Sequence, residues 1–216
     1  MYNEKDFEYF QKIRTEMIKY IPENSKTILD IGCATGAFLE EIQKDKTIET
    51  WGVEIFEESA KIAETKLHKV LNCSVELALE RLPLGYFDCI ICNDVLEHLV
   101  DPFIVLKNIK NLLSTNGKLI TSIPNVRFIP NLHKLVIKKD WKYENWGGIL
   151  DDTHLRFFTE KSIINTFNDC GYTVDLIEGI NPIKLIKYKI FIFLTFGMFR
   201  DSKYLQFASV CSVKQK

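Results

Sequence analysis

An acidic residue and a glycine-rich turn stand together near the start of the chain, in the segment 27–38. Asp30 lies in an apolar strand pattern, and Gly32, Ala34 and Gly36 follow it before a helical pattern begins. Glycines at such a turn let the backbone approach a ligand closely, and the helix offers amide donors at its N-terminus. Because an anionic ligand would be repelled by Asp30, we expect the ligand to carry a cationic group.

The same turn lacks the glycines of a dinucleotide site. The pattern G-x-G-x-x-G would need glycine at positions 32, 34 and 37, and only Gly32 is present. Glu54 ends the next strand pattern, where a carboxylate can accept hydrogen bonds from both hydroxyls of a ribose. A ribose at Glu54, a cationic amino group near Asp30 and no pyrophosphate turn together indicate S-adenosylmethionine.

A second group of residues could bind a metal ion or move a proton. Asp94, Glu97 and His98 stand at offsets of three and four, which predicts one face of a helix, and His154 follows in D-D-T-H-L-R-F-F-T. Local capping and hydrogen bonding is the alternative. Oxygen and nitrogen ligands together do not decide between magnesium, manganese and zinc. His154 or His98 could also act as the general base on a hydroxyl acceptor.

Other polar residues beside His154 are weaker candidates. Arg156 could bind a phosphate or carboxylate of the substrate, or form a salt bridge to Asp151 or Asp152. His133 is a less favoured base because nothing in the sequence anchors its loop.

The elements that must position these residues alternate between strand and helix. Apolar runs predict strands at 28–31, 50–54, 70–73, 87–93, 118–123, 172–178 and 207–213, and helical spacing predicts helices at 4–20, 37–45, 59–67, 103–113 and 162–170. This alternation predicts an α/β fold with a doubly wound, Rossmann-like, seven-stranded sheet, mostly parallel with an antiparallel C-terminal strand pair.

Length and composition predict one domain, since 216 residues with 46% hydrophobic content can bury a single core. We expect a helical cover at 1–25, a cofactor-binding core at 27–125, a substrate lid at 126–158, and a substrate side with the closing strands at 159–216. The lid carries Trp141, Tyr143 and Trp146, which could stack on sugar rings or only pack the lid.

Charge and cysteine usage bound the partners and the location. Residues 181–216 contain seven Lys or Arg and one Asp, a net charge of +6, which leaves −7 for the rest of a chain of net charge −1. An acidic body argues against nucleic-acid binding. The six cysteines predict buried thiols rather than disulfides, and Cys89 and Cys92 should face opposite sides of a strand. No signal-peptide pattern begins the chain, so we expect a cytoplasmic location.

The segment 183–199 reads I-K-L-I-K-Y-K-I-F-I-F-L-T-F-G-M-F. Its uninterrupted apolar part is about half the length that spans a bilayer. Three interpretations stay open: a buried helix, a shallow contact with a membrane surface, or the interface of a homodimer.

Four motifs together resemble the class I S-adenosylmethionine-dependent methyltransferases, especially the branch similar to the ubiquinone-biosynthesis O-methyltransferases. They are I-L-D-I-G-C-A-T-G-A-F, G-V-E-I, F-D-C-I-I-C-N-D-V-L-E-H-L and G-K-L-I-T-S-I-P-N, in order over residues 27–125. The resemblance implies that the loop and Asp30 hold the methionine part, Glu54 the ribose, and Asn93 the methionyl backbone, with Ile55 as a further cofactor-binding residue. Ser74, where an Asp is usual, Val75 and Glu76 are the implied contacts of the adenine. Ala34 replaces a commoner glycine.

Two further resemblances concern the acceptor. D-V-L-E-H and T-H-L-R-F-F-T are similar to metal-binding segments of the small-RNA 3′-end 2′-O-methyltransferases, which implies a metal at Asp94, Glu97, His98 and His154. The second segment also resembles bacterial methyltransferases of surface-polysaccharide synthesis, which implies a sugar or glycan hydroxyl as acceptor. The function so indicated is O-methylation of a small molecule or glycan; the alternatives are a non-catalytic partner protein and a nicotinamide-dependent oxidoreductase.

Overall fold

A seven-stranded sheet organises the protein, in the order β3-β2-β1-β4-β5-β7-β6. The computed structural model describes residues 13–44, 47–145, 147–184 and 186–214. The strands are β1 (Thr27–Ile31), β2 (Glu49–Glu54), β3 (Lys69–Asn72), β4 (Phe87–Asn93), β5 (Leu113–Pro124), β6 (Tyr172–Pro182) and β7 (Tyr204–Val213). The first five pair in parallel, and β7 runs antiparallel to both β5 and β6. The predicted fold is therefore confirmed.

Helices cover this sheet between the strands. They are α1 (Thr15–Ile18), α2 (Ala37–Gln43), α3 (Glu57–Glu64), α4 (Val75–Leu79), α5 (Pro102–Leu112), α6 (Ile129–Leu132), α7 (Glu160–Asp169) and α8 (Ile186–Leu194). Side-chain acceptors cap α4, α5 and α7. The Asp101 side chain accepts from the amide of Ile104 ahead of α5, and Ser74 caps α4. Thr159 and Ser162 form a capping box at α7. By contrast, α2 and α3 begin without a side-chain hydrogen bond at the cap.

Alternation along β4 separates the two layers of the core. Phe87, Ile90 and Cys92 pack on one side of the sheet, and Cys89 and Ile91 pack on the other. All six cysteines are free thiols. The prediction that Cys89 and Cys92 face opposite sides is confirmed.

Several predicted elements differ from the structure at their bounds, among them β6 and β7, which respectively extend to residue 182 and begin at residue 204. Strand β5 begins at residue 113 rather than 118, directly where α5 ends, and Leu113 already pairs with Phe87 of β4. Most of the helix predicted at 4–20 lies outside the described residues, and α1 is its described end, with Met17 buried in the core. The predicted division of the domain and the cytoplasmic location stay predictions.

Helix α8 is not a buried helix, which corrects one interpretation of the segment 183–199. Phe193 is 82% exposed and Phe196 is fully exposed, while Tyr188 is buried. Periodicity could not show this, because apolar residues fall on both the anchored and the open side of the helix. Among the described residues, no helix is both long and apolar enough to cross a membrane.

Candidate active site

A cavity of about 830 Å³ opens at the carboxyl ends of the parallel strands. This is where ligands bind in an open α/β sheet. The sequence-predicted residues that line it are Asp30, Gly32, Ala34, Ile55, Glu54, Ser74, Val75, Asn93, Asp94, Glu97, His98 and His154. Gly36 is not in this lining; it lies behind the turn, with its α-carbon packed toward Ala63 of α3.

The turn after β1 is held against β2 by its own backbone. The amides of Gly32 and Cys33 donate to the Val53 carbonyl, at 2.8 and 3.1 Å. Gly32 has a φ of +75°, and a Cβ at that position would lie 2.6 Å from Cγ2 of Val95. Glycine is therefore required here for both conformation and space.

Glu54 is fixed at the end of β2 by amides of two loops. Its carboxylate accepts from the amide of Ala34 at 2.8 Å and from that of Phe56 at 2.9 Å, and Asn72 donates to its carbonyl at 2.8 Å. Burial raises the pKa of Glu54, while the two amide hydrogen bonds oppose that shift. The carboxylate is thus oriented in the cavity wall before any ligand arrives.

Asp30 and Asn93 present buried oxygens that lack donors. Asp30 is 3% exposed, and neither its Oδ1 nor the Oδ1 of Asn93 has a hydrogen-bond partner among the described residues. Burial, and then the charge of Glu54, raise the pKa of Asp30 to about 8. Buried oxygens in this state fit a ligand that brings a cationic donor.

Ser74 and Ile55 lie at the other end of the cavity. Ser74 caps α4, and its hydroxyl lies 3.5 Å from the amide of Leu77. Val75 begins that helix, and Ile55 is exposed beside it in the lining. Their contact with an adenine stays a prediction.

Glu97, His98 and His154 form a compact cluster in the wall of the same cavity. One ligand atom from each lies within 4.8 Å of the other two, and Nε2 of His154 lies 4.0 Å from Oε1 of Glu97. Neither oxygen of the buried Glu97 carboxylate has a hydrogen-bond partner among the described residues. Burial raises the pKa of Glu97 to about 8.

Backbone carbonyls fix the tautomers of both histidines. Nδ1 of His154 lies 3.0 Å from the carbonyl of Ile149, and Nδ1 of His98 lies 3.2 Å from that of Thr153. Because a carbonyl only accepts, each Nδ1 carries the proton, and Nε2 is the basic atom. The Thr153 hydroxyl, 3.0 Å from Nδ1 of His98, lies 2.5 Å from Oδ1 of Asp151.

Asp94 departs from the prediction that grouped it with Glu97 and His98. No regular α-helix joins them; Leu96–His98 is a single 3-10 turn, and Asp94 has a φ of +54°. Its carboxylate instead binds Arg14, Gln206 and Ser122. Asp94 is therefore engaged by these three side chains, and it does not share a helix face with Glu97 and His98.

The remaining predicted residues lie outside this lining. The guanidinium of Arg156 donates to the carbonyls of Leu155 and Val100, and among the described residues it forms no salt bridge to Asp151 or Asp152. Its contact with a phosphate or carboxylate of the substrate stays a prediction. His133 is exposed in a π-helical turn.

Among the described residues, the Phe, Trp and Tyr side chains of the lid lie outside the cavity lining. Trp141 packs edge-on against Phe157, and Tyr143 is exposed near the same ring. Gly148 and Ile149 line the cavity instead. Trp146 lies outside the described residues.

Sequence reasoning missed three polar residues of the cavity wall, Arg14, Asn181 and Gln206. Arg14 donates to Gln206 at 2.9 Å, and both contact Asp94, although they stand 192 positions apart. None of the three belongs to a local motif, so no signal in the sequence would have found them.

The chain is similar to known proteins in family, sequence and fold. Residues 2–177 match the model of a methyltransferase domain. The chain is 25% identical over 199 residues to the ubiquinone biosynthesis O-methyltransferase of Histophilus somni, covering 81% of each. It is 31% identical over 127 residues to the protein of that name in Coxiella burnetii, covering 55% of this chain and 54% of the relative. A solved S-adenosylmethionine-dependent methyltransferase of Archaeoglobus fulgidus superposes with a TM-score of 0.66 at 22% identity, covering 93% of this chain and 90% of that one.

Proposed function

Because the chain belongs to the class I S-adenosylmethionine-dependent methyltransferases, we propose that it methylates a hydroxyl oxygen of a small molecule or glycan. The observation that carries this proposal is the position of Glu97, His98 and His154 in the wall of the cofactor cavity. A hydroxyl acceptor must lose its proton, and these are the bases and metal ligands that such a step needs.

The cofactor residues follow from the geometry of the strand ends. S-adenosylmethionine supplies, when bound, a methyl group on a cationic sulfur, so little covalent chemistry is left to the protein. Glu54, held by two amides, would accept from the ribose hydroxyls. Asp30 and Asn93 would accept from the amino group of the methionine part, which supports the fit of this cofactor. Placing the acceptor in line is then the main task of the cavity.

His154 is the general base that we propose. Its Nδ1–H donates to the carbonyl of Ile149, which holds the ring and directs the basic Nε2 toward Glu97. The ring of His98 packs edge-on against it with centroids 4.6 Å apart, and is held in turn by Thr153. Both rings are oriented by carbonyls of the lid segment, which contains His154 and follows His98 in the chain.

As the alternative route to a deprotonated acceptor, we propose that Glu97, His98 and His154 bind a divalent cation, because Nε2 of His154 cannot hold an ion and accept a proton at the same time. Buried carboxylate oxygens without donors and two imidazoles with oriented Nε2 atoms fit such an ion. The ion would lower the pKa of an acceptor hydroxyl. Asp94 does not belong to this set, because Arg14 and Gln206 engage its carboxylate.

The identity of the acceptor rests on analogy. The names of the Histophilus and Coxiella relatives support methylation of an oxygen. The segment D-T-H-L-R-F-F-T supports a sugar hydroxyl, as in polysaccharide biosynthesis, and the exposed Tyr143 with Trp141 could stack on a sugar ring.

The test is a transfer assay with isotopically labelled S-adenosylmethionine. Phenols, nucleotide sugars and glycolipids would be offered beside their amine and thiol analogues, and mass spectrometry would locate the added methylene. We expect hydroxyl acceptors to be methylated and the His154→Ala variant to lose activity, with His133→Ala as the matched control. Transfer to amines but not to hydroxyls would refute the proposal.

The metal has a separate measurement. Protein freed of metal with a chelator is titrated with Mg²⁺, Mn²⁺ and Zn²⁺ in a calorimeter. The titration should show one metal site in the wild type and none in Glu97→Gln. Equal metal affinity in both proteins would exclude this cluster as the site.

A further inference from the structure

An excursion of the chain, residues 183–203, leaves the sheet between β6 and β7 beside the mouth of the cavity. Its base is closed by the amide of Ile183, which donates to the carbonyl of Lys203 at 2.8 Å. Asn181, before the excursion, and Leu205 and Gln206, after it, line the cavity. The two ends of the excursion therefore lie at the cavity wall.

One side of α8 is anchored and the other is open. The Tyr188 hydroxyl donates to the carbonyl of Phe199 at 2.6 Å, and the rings of Phe191 and Phe199 lie 5.1 Å apart. The exposed apolar residues of the excursion are Ile190, Phe193, Leu194, Phe196 and Met198. The first three stand at i, i+3 and i+4, so they share one face of the helix.

A second exposed apolar run follows α6. Leu135, Val136 and Ile137 are exposed in the π-helical turn His133–Ile137. The corner before α6 is tied to the excursion by Arg127, which forms a salt bridge with Asp201 at 2.6 Å and donates to the carbonyl of Met198 at 3.3 Å. The segment that carries the second run is therefore connected to the excursion through Arg127.

Both segments that carry these runs are rich in basic residues. Residues 126–142 contain five Lys or Arg and one Asp, and residues 183–203 contain the same numbers, a combined net charge of +8. Because the whole chain carries −1, the remaining residues carry −9. A symmetric homodimer through this surface would place two such positive patches face to face, which disfavours a second copy as the occupant.

We propose that the exposed residues of 133–139 and 190–198, here the apolar-basic face, dock on the surface of an anionic lipid bilayer. Exposed aromatic and aliphatic side chains can enter the boundary between headgroups and acyl chains, and the surrounding lysines are attracted to anionic lipids. The nine residues of α8 are far fewer than the roughly 20 that span a bilayer, so the contact is interfacial. This inference stands on the surface alone and does not depend on the proposed acceptor.

Sedimentation with vesicles tests the proposal. The full chain is mixed with vesicles of phosphatidylcholine alone or with added phosphatidylglycerol, at low and high salt. We expect binding to the anionic vesicles that weakens with salt. The double variant Phe193→Ser/Phe196→Ser should bind roughly tenfold or more weakly, because both rings are exposed and would lose their insertion.

Matched variants separate this contact from general effects. Leu84→Ser removes an equally exposed apolar side chain far along the chain and should leave vesicle binding unchanged. Lys138→Ser/Lys139→Ser should weaken binding to anionic vesicles only. Absence of binding at low salt, equal binding by the Phe193→Ser/Phe196→Ser variant, or a dimer in light scattering that this variant dissociates would each overturn the proposal. Circular dichroism checks the folding of every variant.

Discussion

Asp30→Asn should change the stability of the ligand-free protein in a pH-dependent way. The side chain is 3% exposed, and its pKa is raised to about 8 by burial and by Glu54, against 3.8 for an ordinary Asp. A group whose pKa is raised by folding contributes stability below its unfolded pKa and loses it as the pH rises through the folded value. This single carboxyl should therefore lower the free energy of unfolding by on the order of 5 kcal/mol between about pH 4 and pH 8.

The Asp30→Asn variant does not lose stability with rising pH in this way, but the buried amide destabilises it. A buried amide whose donors find no acceptor costs about 1–3 kcal/mol at any pH. We therefore expect Asp30→Asn to be less stable than the wild type near pH 4 and more stable near pH 8, with crossing stability curves. Urea unfolding followed by circular dichroism across this range measures both curves.

Ionisation of Asp30 should favour binding of the cofactor product, S-adenosylhomocysteine, whereas it lowers the stability of the ligand-free protein. An ionised Asp30 pairs with an ammonium group, so binding of S-adenosylhomocysteine at pH 7 should release about one proton. Calorimetry in buffers of different ionisation enthalpy measures that proton. Loss of a hydrogen bond to a charged group costs about 1.5–3 kcal/mol, so Asp30→Asn should weaken affinity by roughly 10- to 100-fold.

Asp88→Asn is the matched control at the other end of the sheet. Burial raises the pKa of Asp88, but hydrogen bonds from the amides of Lys26 and Thr27 and from the Ser114 hydroxyl outweigh burial and lower that pKa below its usual value. Its contribution is present above the unfolded pKa, so Asp88→Asn should destabilise the protein at neutral pH and leave cofactor affinity unchanged. Parallel stability curves for Asp30→Asn and the wild type, or equal affinity for S-adenosylhomocysteine, would refute the reasoning about Asp30.

Three further substitutions test the cavity. Glu54→Ala should weaken S-adenosylhomocysteine binding roughly 10- to 100-fold by calorimetry, because the ribose loses a charged acceptor; unchanged affinity would contradict its role. His154→Ala should lower kcat about 10²- to 10⁴-fold in the transfer assay while cofactor affinity stays equal, and a loss of affinity alone would argue against a base. Gly32→Ala should lower Tm more than Gly85→Ala, since both have positive φ but only Gly32 meets a neighbour, Val95, at 2.6 Å.

The cofactor half of the site was predictable because its signals are local. Asp30, the turn and Glu54 each sit at a fixed distance from the end of a strand, and parallel strands bring their carboxyl ends to one edge. The half of the site that we propose for the acceptor was harder to predict from the sequence. Helical offsets grouped Asp94 with Glu97 and His98, but a positive φ at Asp94 and a 3-10 turn separate them.

The sequence by itself determined the alternation of strands and helices, the donor that the first turn binds, and which residues could carry chemistry beside it. Tertiary structure alone decided which of them meet: it brought His154 to Glu97, and Arg14 and Gln206 to Asp94, and it left Arg156 outside. It also decided that α8 exposes its apolar face. Periodicity and spacing act over a few residues, whereas these contacts join segments far apart in the chain, and they depend on packing that no local pattern encodes.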